Sequence, residues 1–316
     1  MTQTDLAKNP AHFRVHVRVP ATSANLGPGF DTLGLALAYG DEITAELTDT
    51  PGIRVNVSGV GEGEVPGDES NLVAKSLLHV FQSLRVDPPT GLLLNATNRI
   101  PHGRGMGSSG AAIVAGVKLA EGLLKLLHGK QLTEQQLLEF ATELEGHPDN
   151  VAPGLSGGLT IAWMSGSTPR SKKLAVHRGV SPLVLVPNFR VSTEHARSLQ
   201  PEAVPHSDAV FNVSRSALLI AALTQSPELL LEATEDKLHQ DYRAEAMPQT
   251  RQLIEQLRQV GFAAVVSGAG PSVLVLADGP AKRAEAADFV AENAPDWQRK
   301  ILAVDIEGAT VEISPV

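Results

Sequence analysis

The chain of 316 residues, 42% of them hydrophobic in type, is long enough to fill the core of one large domain or two of ordinary size. Its formal net charge of −9 argues against nucleic acid and membrane surfaces as partners, while leaving room for a local basic pocket. The absence of cysteine excludes disulfides, thiolate nucleophiles and cysteine zinc sites; with no signal core in residues 1–11 and no apolar run near the ~18 residues of a membrane span, a cytoplasmic location is expected.

Alternation at Phe13, Val15, Val17 and Val19, at Ile43, Ala45 and Leu47, and at Ile53, Val55 and Val57 predicts half-buried strands. Val73, Leu77, Val80, Phe81 and Leu84 recur at helical spacing, and 92–96 reads as a strand. A long helix of small residues is predicted over 108–128, with Gly129 just past its end, and Thr133 with Gln136 forms a capping-box pattern that opens another helix. Residues 157–163 read as a strand. The polar run 165–173, with Gly166, Pro169 and two lysines, is the most linker-like segment, which divides the chain into 1–168 and 169–316. Beyond it come a strand at 183–186, helical patterns at 207–223, 227–239 and 248–260, and strands around 262–266 and 273–276. A helix at 281–293 and a strand at 310–313 complete the chain. Strands and helices mix rather than alternate, so the expected class is α+β.

The segment Pro101, His102, Gly103, Arg104, Gly105, Met106, Gly107, Ser108, Ser109, Gly110, Ala111 is a glycine-rich loop running into the small-residue helix. Its glycines let the backbone approach an anion closely, and the free N–H groups and dipole at the helix start favour phosphate. Ser108 and Ser109 add hydroxyls for phosphate oxygens or a Mg²⁺ ion. No Gly-Lys-Ser/Thr is present, and the strand and ribose-binding acid of a dinucleotide fingerprint are missing, so neither common nucleotide motif fits. From the glycines alone, a flexible loop with a serine N-cap stays equally open.

Three further segments occur with this loop in a fixed order: Pro20-Ala-Thr-Ser-Ala-Asn-Leu-Gly-Pro-Gly-Phe-Asp31, Glu145-Gly-His-Pro-Asp-Asn150, and Val266-Ser-Gly-Ala-Gly-Pro-Ser272. Together they resemble the signature segments of the GHMP kinases, and the first and second are most similar to the homoserine kinase branch. The loop departs from the usual Gly-Leu-Gly-Ser-Ser-Ala-Ala by Met106 and Gly110. The resemblance implies a two-domain fold, the N-terminal domain like ribosomal S5 domain 2 and the C-terminal domain ferredoxin-like. It also implies ATP-dependent phosphorylation of L-homoserine to O-phospho-L-homoserine in threonine biosynthesis, with ATP and Mg²⁺ as cofactors and a family-like homodimer.

By the same resemblance, residues 101–111 wrap the ATP phosphates, one of Ser108 and Ser109 helps hold Mg²⁺, and Glu145 or Glu143 is its carboxylate. Asn71 lies near the adenine or caps the first helix. An amino-acid substrate needs a carboxylate clamp and an ammonium acceptor. Arg197 and Arg243 match the family's carboxylate-binding arginines, Asp31 and Asn25 meet the ammonium group or form an Asx turn, and Gly270 lines the substrate site. His147 and Asn150 are placed in a tight polar turn; Asn150 orients the acceptor hydroxyl rather than acting as a base, since an amide cannot take its proton, and His147 supports the site. The competing readings are another small-molecule kinase of this superfamily, acting on a mevalonate- or shikimate-like hydroxyl, and a non-catalytic ligand-binding member of the fold.

Overall fold

The computed structural model describes residues 12–316, apart from the side chain of Thr193; the 1–11 stretch assessed above for a signal core lies outside the described residues. The first half contains strands β1 (Phe13–Ala24), β2 (Leu33–Leu47) and β3 (Gly52–Gly59), helix α1 (Leu72–Ser83), strand β4 (Gly91–Asn98), helices α2 (Ser108–His128), α3 (Glu134–Glu145) and α4 (Pro148–Ser156), and strands β5 (Leu159–Ser165) and β6 (Thr168–Leu174). The second half runs through β7 (Val180–Val186), α5 (Thr193–Ser198), α6 (His206–Thr224), α7 (Leu230–Ala233), α8 (Gln240–Arg243), α9 (Pro248–Gln259), β8 (Ala263–Val266), β9 (Val273–Asp278), α10 (Pro280–Asn293), β10 (Gln298–Ile301) and β11 (Thr310–Pro315).

Seven strands form the first sheet, in the order β11-β1-β2-β4-β3 with β5 on β2 and β6 on β5. Val15, Val17 and Val19 of β1 are buried while His16 and Arg18 between them are half-exposed, the alternation that the sequence predicts. Among the described residues only β3 and β4 pair in parallel, as their connection through α1 requires. Helix α2 packs against this sheet at van der Waals distance because its glycines carry no Cβ: a carbon added at Gly122 would lie 2.4 Å from Val15 Cγ1. Gly129 caps α2 in the left-handed conformation, and the Thr133–Gln136 capping box opens α3.

The second sheet has four strands ordered β10-β7-β9-β8, all antiparallel. Taken from β7 to β10 as first to fourth, this is the 4-1-3-2 arrangement of a ferredoxin-like βαββαβ unit, with helices α5 to α8 inserted before its first crossover helix α9. Leu183, Leu185, Val273 and Val275 face α9 and α10, whereas Val184, Val186, Leu274 and Leu276 join the larger core that reaches back to β1.

Several expectations are corrected. The polar 165–173 run is a hairpin, with Ser165 opposite Thr168 and Leu159 opposite Leu174, so β6 stays in the first sheet. The 168/169 division therefore passes through this hairpin, the crossing to the second sheet comes after Leu174, and β11 returns to pair with β1. The 227–239 pattern stops being helical after Ala233, because the Asp236 carboxylate accepts from the N–H groups of Leu238, His239 and Gln240 and turns the chain into α8. His147 and Asn150 are not in a free turn but at the start of α4, with His147 as N-cap and Pro148 in the first turn.

Candidate active site

The glycine loop joins β4 to α2 and is tied down from two sides. Met106, fully buried, accepts at its carbonyl from Thr22 N–H at 3.1 Å, and the Gly105 carbonyl accepts from Ser267 Oγ at 2.6 Å. Gly105 (φ +71°) needs to be glycine, since a Cβ there would lie 2.1 Å from the Ser267 carbonyl oxygen. Gly107 is the left-handed N-cap of α2 and supplies no side-chain cap, which leaves the first-turn N–H groups at Ser108 and Ser109 open to an anion. Beside this helix start lies a cavity of about 310 Å³ walled by Asp41, Asn71, Asn98, His102, Ser108 and Ser109. Asn71 borders it and also caps α1: its Oδ1 accepts from Val73 N–H at 3.0 Å and its Nδ2 donates to the Pro66 carbonyl at 2.8 Å. The Arg104 guanidinium points away from the cavity and donates to the Asn188 carbonyl at 3.0 Å.

The corner between α3 and α4 brings a second group to the same place. Glu145 Oε2 accepts from Ser109 Oγ at 3.0 Å; burial pushes its carboxyl above the ordinary carboxylate value, against the pull of the Ser109 hydrogen bond. Glu143 is turned to solvent and pairs with His79 Nε2 at 2.9 Å, so of the two acids only Glu145 reaches the loop. His147 Nδ1 lies 3.1 Å from Asp149 Oδ1, at an angle poor for a hydrogen bond, and this carboxylate raises the imidazole above its ordinary value despite partial burial. Asp31, His147 and Asp149 bring one oxygen or nitrogen each within 4.8 Å of one another. Asn150 Oδ1 accepts from Thr22 Oγ1 at 3.1 Å.

The 25–31 turn closes the site from the other side. Asn25, Leu26 and Asp31 have φ of +71°, +52° and +52°, a conformation that costs non-glycine residues on the order of 1 kcal/mol each and persists because the surroundings enforce it. Asn25 does the enforcing, accepting from Asp31 N–H and donating to the Gly268 carbonyl, both at 2.9 Å. Arg197 reaches Asp31 Oδ1 at 3.9 Å from an exposed position. Arg243 is buried, its Cζ 4.9 Å from the Phe30 ring; Gln200, with its amide oriented to suit both neighbours, accepts from Arg243 Nε at 3.0 Å. One guanidinium nitrogen, Nη1, is buried with no hydrogen-bond partner among the described residues, and burial lowers the pKa of the group.

The 25–31 turn and helices α2, α3, α4, α5 and α8 thus gather Asn25, Asp31, Ser109, Glu145, His147, Asn150, Arg197 and Arg243. Gly270 behaves differently from expectation: it is buried behind the glycine loop, its N–H donating to the Ser267 carbonyl at 2.8 Å and its Cα backed by Met247, so it shapes the loop rather than lining the substrate space. Sequence reasoning did not single out Thr22, Gln200, or His239, which stacks on Phe30 at 4.9 Å. A signal for His239 exists in the i, i+4 spacing with Arg243, which puts both on one face of a helical turn.

The family model "GHMP kinases N terminal domain" matches residues 71–158 and "GHMP kinases C terminal" matches 217–296. A homoserine kinase of Clavibacter michiganensis is 64% identical over 301 residues, covering 95% of this chain and 94% of the relative. A homoserine kinase of Streptomyces avermitilis is 50% identical, covering 94% and 95%. Among solved structures, a homoserine kinase from Cytophaga hutchinsonii superposes with a TM-score of 0.83 at 29% identity over 95% of this chain and 97% of that one. An L. major mevalonate kinase in complex with R-mevalonate, at 16% identity and a TM-score of 0.69 over 92% and 95% of the two chains, shares the fold.

Proposed function

Because the chain belongs to the homoserine kinases of the GHMP kinase family, ATP-dependent enzymes that phosphorylate a hydroxyl group, we propose that the residues gathered above divide the work of phosphorylating L-homoserine between two adjoining sites. The glycine loop and the start of α2 take the phosphates of ATP, whose base and ribose fit the adjoining cavity. Asp31, His147 and Asp149 receive the substrate ammonium group, for which two carboxylates and an imidazole on one small patch are suited. Arg243, with its unpartnered Nη1, and Arg197 clamp the substrate carboxylate.

Ser109 and Glu145 are the residues that would hold Mg²⁺. A half-buried carboxylate bonded to a hydroxyl offers the hard oxygen donors this ion takes, and the burial that raises its pKa is a desolvation cost that a bound cation would offset. When bound, the ion neutralises charge on the phosphate oxygens.

Phosphoryl transfer asks the protein for alignment and charge compensation more than covalent chemistry. The homoserine hydroxyl oxygen forms a bond to the γ-phosphorus, the bond from phosphorus to the β–γ bridging oxygen breaks, and ADP leaves with that oxygen. The hydroxyl proton goes to a phosphate oxygen or to water, since Asn150 cannot accept it; Asn150 orients the hydroxyl. The products are ADP and O-phospho-L-homoserine, a step of threonine biosynthesis. A cytoplasmic setting fits a chain without cysteine, and among the described residues no helix is long and apolar enough to cross a membrane.

The observation that carries the assignment of roles is the convergence of a cation-accepting patch and two arginines beside the Ser109–Glu145 pair. ADP release with Mg-ATP, compared across L-homoserine, mevalonate, shikimate, L-serine and L-threonine, is expected to saturate with a preference for L-homoserine and to vanish without Mg²⁺. Turnover of another alcohol in preference would overturn the substrate site. Asn150→Asp is expected to shift the pH profile of kcat while leaving both KM values near normal; unchanged kinetics would remove Asn150 from its role.

A further inference from the structure

Thr22 sits where the phosphate side and the acceptor side of the site touch. It lies near the end of β1, 2% exposed, and makes two polar contacts of consequence. Its N–H donates to the Met106 carbonyl of the glycine loop at 3.1 Å, and its hydroxyl donates to Asn150 Oδ1 at 3.1 Å. The hydroxyl also lies directly against Gly107, where an added Cβ would come within 2.0 Å of Thr22 Oγ1.

The bond to Asn150 has a chemical consequence. The two ends of a carboxamide have the same shape and opposite hydrogen-bonding character, so an unrestrained Asn150 offers either a C=O or an NH₂ to the substrate. With its oxygen engaged by Thr22, the NH₂ is the end left to meet the acceptor hydroxyl. Donation from Nδ2 occupies one lone pair of the hydroxyl oxygen, leaves the second for attack on phosphorus, and leaves the proton free to depart. The reversed amide would accept that proton in a hydrogen bond and retain it on the nucleophile. We propose that Thr22 is a positioning residue for phosphoryl transfer: it locks the Asn150 carboxamide with its NH₂ toward the acceptor hydroxyl and references that group to the loop holding the transferred phosphate. This rests on the reading of Asn150 as the hydroxyl-orienting residue.

The test uses the full-length enzyme with Thr22→Val, Thr22→Ala, Thr22→Ser and Asn150→Ala, and each of the first two combined with Asn150→Ala. Both variants lacking the hydroxyl are expected to lose ~10- to 100-fold in kcat, with KM for ATP and for L-homoserine within about threefold of normal, because orientation and not binding is disturbed. Thr22→Ser, which keeps the hydroxyl, is expected to recover most of that loss. In the Asn150→Ala background neither Thr22 variant should lower kcat further. If Thr22→Val does not fold, since its extra methyl group faces Gly107, Thr22→Ala removes atoms only and decides the matter. An equal kcat loss from the Thr22 variants with or without Asn150 overturns the proposal while leaving the Asn150 reading intact. So does a raised KM for ATP at normal kcat, the mark of a loop anchor. Normal kcat in Asn150→Ala alone overturns the Asn150 reading itself.

Discussion

Replacing Gly105 by alanine separates geometric fit from backbone strain in the glycine loop. The new Cβ would stand 2.1 Å from the Ser267 carbonyl oxygen and 2.9 Å from that of Gly270, both backbone atoms that no side-chain rotation can withdraw. The approach is short by about 1 Å, so the loop itself must move, and a displacement of about 1 Å at a reacting group costs on the order of 100-fold in rate. Alanine in the left-handed region adds about 1–2 kcal/mol of strain, and loss of the Ser267–Gly105 hydrogen bond about 1 more. Together these give about 3 kcal/mol of destabilisation, or roughly 5 °C in Tm for a chain of this size. Gly103→Ala is the control: φ is +64°, yet its nearest neighbours are side-chain atoms of Arg190 at 3.8 Å, so it carries the strain without the collision. The assay is kcat/KM for ATP by coupled ADP release, alongside thermal melts of both variants. Gly105→Ala is expected to lose about 100-fold and Gly103→Ala no more than about threefold. Equal rate losses in the two would refute the argument that the Ser267 and Gly270 carbonyls set the loop position.

Arg243→Lys is expected to raise KM for L-homoserine about 100-fold, because a point charge cannot reproduce the guanidinium fork; Arg197→Lys, at an exposed position, should cost no more than about tenfold. Steady-state kinetics at saturating ATP checks both, and equal effects would remove the distinction between buried and exposed arginine. Arg243→Met should in addition raise the Tm of the ligand-free protein, since it removes a buried and incompletely partnered cation. His147 gives a pH prediction with two signs. Its pKa is raised above the ordinary imidazole value of about 6.5, chiefly by Asp149, so its contribution to stability is full below that value and is lost as pH rises through the folded pKa. Homoserine affinity should move the other way, weakening as pH falls through the same folded pKa, because the imidazolium repels the substrate ammonium group. His147→Gln should flatten both profiles, and a KM for homoserine that is independent of pH in the native enzyme would refute its place in the ammonium site.

Local chemistry made the glycine loop, the Gly129 cap, the Thr133–Gln136 capping box and the alternation of β1 legible in the sequence, because each is specified by residues within a few positions of one another. Elements whose stability comes from distant partners escaped notice. The polar β6 reads as a linker because its strand character is supplied by pairing with β5, and Gln298, Arg299 and Lys300 of the edge strand β10 show no apolar period. Glu143 and Glu145 are two residues apart on one helix, and only the packing of α3 beside both α2 and α1 gives Glu145 to Ser109 and Glu143 to His79. The stack of His239 and Arg243 on Phe30 joins segments about 200 residues apart. Sequence alone determined the family, the glycine loop and the residue types that an amino-acid kinase needs. The tertiary structure decided which of those residues meet and which way each amide and carboxylate points, since such contacts depend on how helices seat on a sheet rather than on the order of residues along the chain.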